Sequence, residues 1–157
     1  MKISTKGRYA LRVMTDLAVH RDEGLIPLHE IAARQDITVK YLEQIIALLS
    51  RAGFLQSVRG KSGGYRLLRE PKDYTMGEIL RATEGKLAPT VCLEAGPECC
   101  HRHQLFGDCM SMGFWQDFYD TINHFLDSRT LQDLLPPETA GNEEAKAGPA
   151  EDDRIST

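Results

Sequence analysis

Apolar residues near the start of the chain recur with the period of a helix. After Ser4 and Thr5, either of which can cap a helix, Tyr9, Ala10, Val13, Met14, Leu17 and Ala18 share one stripe, and Gly24 marks the expected stop. Pro27 opens a second, short helix over Leu28–Gln35. The chain then turns through Asp36 and Ile37 to Thr38, a fresh N-cap. The stretch VKYLEQIIALLSRAG places Leu42, Ile45, Ile46 and Leu49 at i, i+3, i+4 and i+7, turns Lys40, Gln44, Ala47 and Arg51 the other way, and ends at Gly53. Beyond it the helical period stops. Residues 54–58 and 63–68 read as two strands, and the glycine-rich RGKSGGY joins them as a β-hairpin.

The triplet Gly60-Lys61-Ser62 also matches the end of a nucleotide-binding P-loop. That loop needs a glycine five residues earlier, where this chain has Leu55, and a helix afterwards, where this chain has a strand. The context therefore speaks against a nucleotide enzyme. Two short helices, a tight turn and a glycine-rich hairpin instead predict a winged helix-turn-helix: a mainly α fold with a small β-hairpin wing. Lys40, Tyr41, Glu43 and Gln44 stand at the start of the second helix of that unit, and Arg51 at its end. These residue types reach phosphates and base edges.

Further along, Phe114, Phe118, Ile122, Phe125 and Leu126 form an apolar stripe on a long helix, with Trp115 and Tyr119 beside it. So broad a face exceeds what a small domain buries, which predicts a C-terminal dimerisation helix and a homodimer matching a two-fold operator. The last block, from residue 136 to 157, has no aromatic residue and no period, and reads as a disordered acidic tail. The expected organisation is a DNA-binding domain over 1–85, a cysteine-rich loop over 86–110, the dimerisation helix over 111–135 and the tail.

Charge sharpens the picture. The net charge of -4 divides into +6 over residues 1–72, -6 over 73–135 and -4 over 136–157. The basic surplus therefore coincides with the helix-turn-helix and hairpin, as a double-stranded DNA partner requires. No apolar run approaches the roughly 20 residues that span a bilayer, and no signal peptide is evident, so a cytoplasmic protein with no membrane partner is expected.

In that compartment four cysteines suggest metal ligation or redox chemistry. All four lie in VCLEAGPECCHRHQLFGDC, residues 91–109, which also holds His101 and His103. Its Gly, Pro and polar content predicts a loop that can wrap a metal. A zinc site could draw on the four cysteines, or on three and a histidine, although no Cys-x-x-Cys pair is present. A metal-free thiol switch could use any two.

The segments STKGRYALRVMTDLA, IAARQDITVKYLEQIIALL, SVRGKSGGYRL and FWQDFYDTINHFLDSRTLQDLL together resemble the IscR-type family of winged-helix transcription regulators over roughly residues 1–135. The resemblance implies a regulator rather than an enzyme. It implies that Arg59 enters the minor groove and that Tyr41, Glu43 and Gln44 lie on the recognition helix. Lys61 and Ser62 then fall on the DNA backbone, with Gly63 and Gly64 permitting close approach. It further implies an iron–sulfur cluster, 2Fe-2S or 4Fe-4S with 2Fe-2S favoured, held by Cys92, Cys100 and Cys109, with Cys99 as the alternative middle ligand. The family's usual fourth-ligand positions carry Met112 and Arg8 here, leaving the spare cysteine, His101 or His103 as candidates. Cysteine-metabolism members of the family also leave room for a partner enzyme as effector.

Overall fold

The computed structural model describes residues 2–60, 62–96 and 109–136. Helices α1 (Thr5–Val19), α2 (Leu28–Gln35) and α3 (Val39–Arg51) precede a hairpin of β1 (Leu55–Val58) and β2 (Gly64–Leu67). Three more helices follow: α4 (Met76–Glu84), α5 (Val91–Ala95) and α6 (Met112–Ser128). The predicted stripes meet in one core, where Ala10, Val13 and Met14 of α1, Leu42, Ile45 and Leu49 of α3, and Ile79 of α4 are sealed from solvent. Each such aliphatic side chain contributes on the order of 1.5–3 kcal/mol on burial. The mainly α winged helix-turn-helix expected from the sequence is the observed fold.

Two polar clamps orient the helices around that core. The Ser4 hydroxyl accepts a bond from the Lys6 amide at 3.1 Å. The carboxylate of Glu84, at the far end of α4, accepts from the Ser4 amide, the Ser4 hydroxyl and the Gly7 amide at 3.2, 2.6 and 2.9 Å. A carboxylate there pairs orphan amides and meets the positive end of the helix dipole. Gly7 permits it, because a Cβ would collide with Glu84.

The second clamp is Asp16, buried on α1. Its carboxylate accepts from Arg34 Nε and Nη2 at 2.9 and 2.8 Å and from Gln35 Nε2 at 2.9 Å, fixing the last turn of α2. The fork is bidentate and charge-assisted, the stronger class of hydrogen bond. Asp16 in turn raises the pKa of Arg34, chiefly through this hydrogen bond. After α2, Asp36 takes a left-handed conformation with φ 51°, which its short polar side chain tolerates, and Thr38 Oγ1 accepts from the Tyr41 amide at 3.3 Å to start α3.

Several elements depart from the expected bounds. Helix α1 stops at Val19 rather than Gly24, because its apolar period ends at Ala18 and residues Arg21–Glu23 form a separate 3-10 turn. The strands are a residue or two shorter than expected, Phe54 turning into the core just before β1. Leu55 pairs with Leu67, Gln56 with Arg66, Ser57 with Tyr65 and Val58 with Gly64. A further bridge, Ile26 to Tyr65, adds a third line of pairing beside β2. It explains Gly64, since a Cβ there would stand 2.5 Å from the Ile26 carbonyl oxygen.

Tyr74 joins the wing to the rest. Its ring is fully buried and meets Phe54 edge-on at 5.6 Å. Its hydroxyl donates to the Phe54 carbonyl at 2.9 Å and accepts from the Leu68 and Arg69 amides at 3.0 and 2.8 Å. Its carbonyl accepts from the Leu131 amide at 2.8 Å, and the next residue, Thr75, bridges to Thr130. Helix α4 then begins with a capping box of Thr75 and Glu78.

Helix α6 ends at Ser128, short of the expected 135, because residues 129–135 fold back on Tyr74 and bury Leu131. Its single expected stripe divides in two. Trp115, Tyr119, Ile122 and Leu126 are half-buried, whereas Phe114, Phe118 and Phe125 are 64%, 39% and 57% exposed. Arg81 of α4 holds this helix through Asn123 Oδ1 at 3.0 Å and an ion pair with Asp127.

Replacing Tyr74 by Phe keeps the ring but leaves the Arg69 amide without its acceptor, while the Leu68 amide keeps its 3.1 Å bond to the Phe54 carbonyl. The expected loss is about 1–3 kcal/mol, read from the urea midpoint. Hydrogen exchange should accelerate at Arg69 more than within α3.

Candidate nucleic-acid interface and cysteine segment

The Thr38 cap brings Lys40, Glu43 and Gln44 onto the exposed side of the first turns of α3, opposite Leu42, Ile45 and Ile46. Glu43 is the sole acid on that helix. Tyr41 differs from its neighbours. It is half-buried, with its ring edge-on to Tyr9 at 5.8 Å, and Arg12 lies over the Tyr9 ring at 4.8 Å. Arg12 also donates to the Gln35 side chain and carbonyl at 2.9 and 3.0 Å. One chain of contacts therefore ties the start of α3 to α1 and the end of α2.

Arg51 donates to the Ala47 carbonyl of its own helix at 3.2 Å. On the hairpin, Arg59 and Ser62 are exposed, and Lys61 lies outside the described residues. The Gly63 amide donates to the Gly60 carbonyl at 3.0 Å, closing the turn, and a Cβ at Gly63 would collide with the Val58 carbonyl. Both glycines that the sequence assigns to DNA approach are thus demanded by the fold itself. Periodicity does not single out Arg12, Arg66 or Tyr74. The T-x-x-E spacing of Thr75 and Glu78 was available as a signal for α4.

The cysteine segment is only partly a loop, because Val91–Ala95 forms the short helix α5. Cys92 is half-buried in it, its Sγ 3.2 Å from Thr90 Oγ1. Cys109 is exposed, and its Sγ lies 3.5 Å from Ser111 Oγ. Hydrogen bonds from the Ser111 side chain, then from the Ser111 and Met112 backbone, pull the Cys109 pKa below that of an ordinary thiol. Cys99, Cys100, His101 and His103 lie outside the described residues, and among the described residues no three potential ligands come together around a metal. Met112 and Arg8, at the family's fourth-ligand positions, sit at the start of α6 and exposed on α1. Among the described residues no helix is long and apolar enough to cross a membrane.

Residues 3–137 match the Rrf2 family, described as an iron-dependent transcriptional regulator. The HTH-type transcriptional regulator IscR of Aliivibrio salmonicida is 39% identical over 135 residues, 86% of this chain and 77% of that protein. Protein rrf2 of Nitratidesulfovibrio vulgaris is 36% identical over 86% of this chain and 87% of its own length. Among solved structures, CymR, the global cysteine regulator of B. subtilis, superposes with a TM-score of 0.68 at 37% identity, covering 85% of this chain and 95% of that one. IscR of T. potens gives 0.64 at 40% identity, covering 86% of each chain. These relatives are transcriptional regulators and not enzymes, and the chain belongs to the Rrf2 family of DNA-binding transcriptional regulators.

Proposed function

We propose that the protein is a cytoplasmic, homodimeric regulator that reads a partly palindromic operator and senses iron–sulfur or redox status through its cysteine segment. The observation that carries this reading is the exposed set Lys40, Glu43 and Gln44 on α3 together with an exposed Arg59 on the wing. Helix α3 enters the major groove, where Gln44 and Glu43 meet base edges and the Tyr41 hydroxyl and Lys40 meet phosphates. Arg59 enters the adjacent minor groove, whose narrow, electronegative floor favours a guanidinium. Lys61 and Ser62 hold the backbone beside it. The uncovered Phe114, Phe118 and Phe125 of α6 are the surface a second copy covers, and dimerisation then sets the spacing of two α3 helices.

Cys92, Cys100 and Cys109 are the proposed ligands of a 2Fe-2S cluster, with Cys99 as the alternative middle ligand and His101 or His103 as candidates for the fourth. What supports the fit is the donor chemistry: Cys92 and Cys109 are free thiols at the two ends of the segment, and Cys109 is biased toward thiolate. When bound, the cluster supplies reversible oxidation and loss under oxidants. The chain supplies the connection. The segment leads directly into α6, which is pinned to α4 by Arg81 and returns through Leu131 to Tyr74, the residue that holds the wing.

A second reading, a metal-free thiol switch or a partner-controlled repressor of cysteine metabolism, draws support from the exposure and lowered pKa of Cys109 and from the likeness to CymR. A zinc-bound regulator is a lesser alternative.

Purified without oxygen, the protein should be brown, with visible absorbance and stoichiometric iron and sulfide; a colourless, iron-free, zinc-loaded preparation would overturn the cluster. Arg59→Ala should weaken operator binding about 10-fold or more and relax sequence preference, the loss of a specific base-groove contact, with the dimer intact by sedimentation. In the apo protein Cys109 should lose its proton at a lower pH than an ordinary thiol. Iodoacetamide labelling of Cys109 should therefore begin earlier as pH rises, and Ser111→Ala should move that onset to higher pH.

A further inference from the structure

The wing carries a second cationic surface behind its tip. Gln56 and Arg66 are paired in register, and alternation along the strands puts them on the face opposite Leu55 and Leu67, away from the core. Arg66 Nε donates to Gln56 Oε1 at 2.7 Å. The bridge between Ile26 and Tyr65 brings the turn Arg21–Glu23 close to the edge of β2. Between them lies a cleft of about 460 Å³ whose lining includes Arg21, Asp22, Gln56, Arg66, Arg69 and Glu70.

Three guanidinium groups there face two carboxylates. Arg69 serves the fold: it donates to the Asp73 carbonyl at 2.9 Å, lies over the Tyr74 ring at 4.2 Å and stands 3.6 Å from Glu78. Arg21 and Arg66 are exposed.

We infer that Arg21 and Arg66 form a phosphate-binding surface that holds the DNA backbone alongside the groove entered by the wing tip. The inference rests on the proposed reading of the wing. Arg66 stands across from Gln56, three residues before Arg59 on the β1 side. At about 3.3 Å per residue that is roughly 10 Å behind the tip. The minor groove is about 7.5 Å deep, so a tip seated in it leaves residues 10 Å back at the level of the phosphates. A planar guanidinium matches a phosphodiester oxyanion, and Gln56 offers a neutral donor beside it.

The test uses the full chain with Arg21→Gln and Arg66→Gln combined, leaving Arg69 in place. Both proteins are titrated, over a series of salt concentrations, with a duplex that the wild type selects from a random pool and with an unrelated duplex. Affinity should fall about 10-fold for both duplexes alike, and the log–log salt slope should become shallower by roughly 1–2, with the preference between duplexes kept. Lysine at both positions should restore the slope, which a role confined to folding would not predict. Wild-type affinity and slope in the Gln variant overturn the surface while leaving the wing reading intact. A wild type that selects no duplex overturns the wing reading and this surface with it. Stabilisation by inorganic pyrophosphate that the Gln variant loses, with an unchanged DNA slope, assigns the cleft to a small anion and overturns the DNA assignment.

Discussion

Tyr74 lies where three segments of the chain meet, with its ring closed to solvent and its hydroxyl therefore unable to fall back on water. The phenol must find its partners in the protein, and it finds them at both ends of the hairpin: the Phe54 carbonyl before β1 and the Leu68 and Arg69 amides after β2. An isolated two-stranded hairpin is marginal in water. Here its base is closed by one side chain whose own backbone is bonded to the segment after α6. Wing and C-terminal return are thus anchored on the same residue, and neither can shift far without breaking a buried hydrogen bond.

The helix-turn-helix is positioned by a different economy of polar groups. Asp16 holds α2 to α1, Glu84 holds α4 to the start of α1, and Arg12 links the end of α2 toward the Tyr9–Tyr41 pair beneath α3. No buried side-chain polar atom among the described residues is left without a partner. Apolar packing supplies most of the stability, while these carboxylates fix the angles at which α3 is presented.

Much of this was legible in the sequence, because periodicity is a local property. The stripes of α1 and α3, the Thr38 cap and the hairpin follow from spacing within one element. What periodicity missed depends on partners distant in sequence. Helix α1 stops early because a 3-10 turn intervenes, Tyr74 matters because of Phe54 and Leu131, and the α6 stripe divides because α4 covers only one side of it. Tyr41 looked like a reading residue and is equally a packing residue. The cysteine segment was legible as chemistry, but composition alone did not show that Cys92 sits on a helical turn.

Gly63 and Gly64 carry a consequence for how such a regulator diversifies. Each is held by backbone crowding within the domain, at the Val58 carbonyl and at Ile26, whatever lies outside the wing. If the wing reads DNA as proposed, a lineage acquiring a new operator is free to vary Arg59 and Ser62, which are exposed, but has little freedom at the two positions that follow. On the proposed reading, the wing separates into an exposed tip that substitution can reach and two glycine positions that the fold constrains, so the contacts can change without renegotiating the fold.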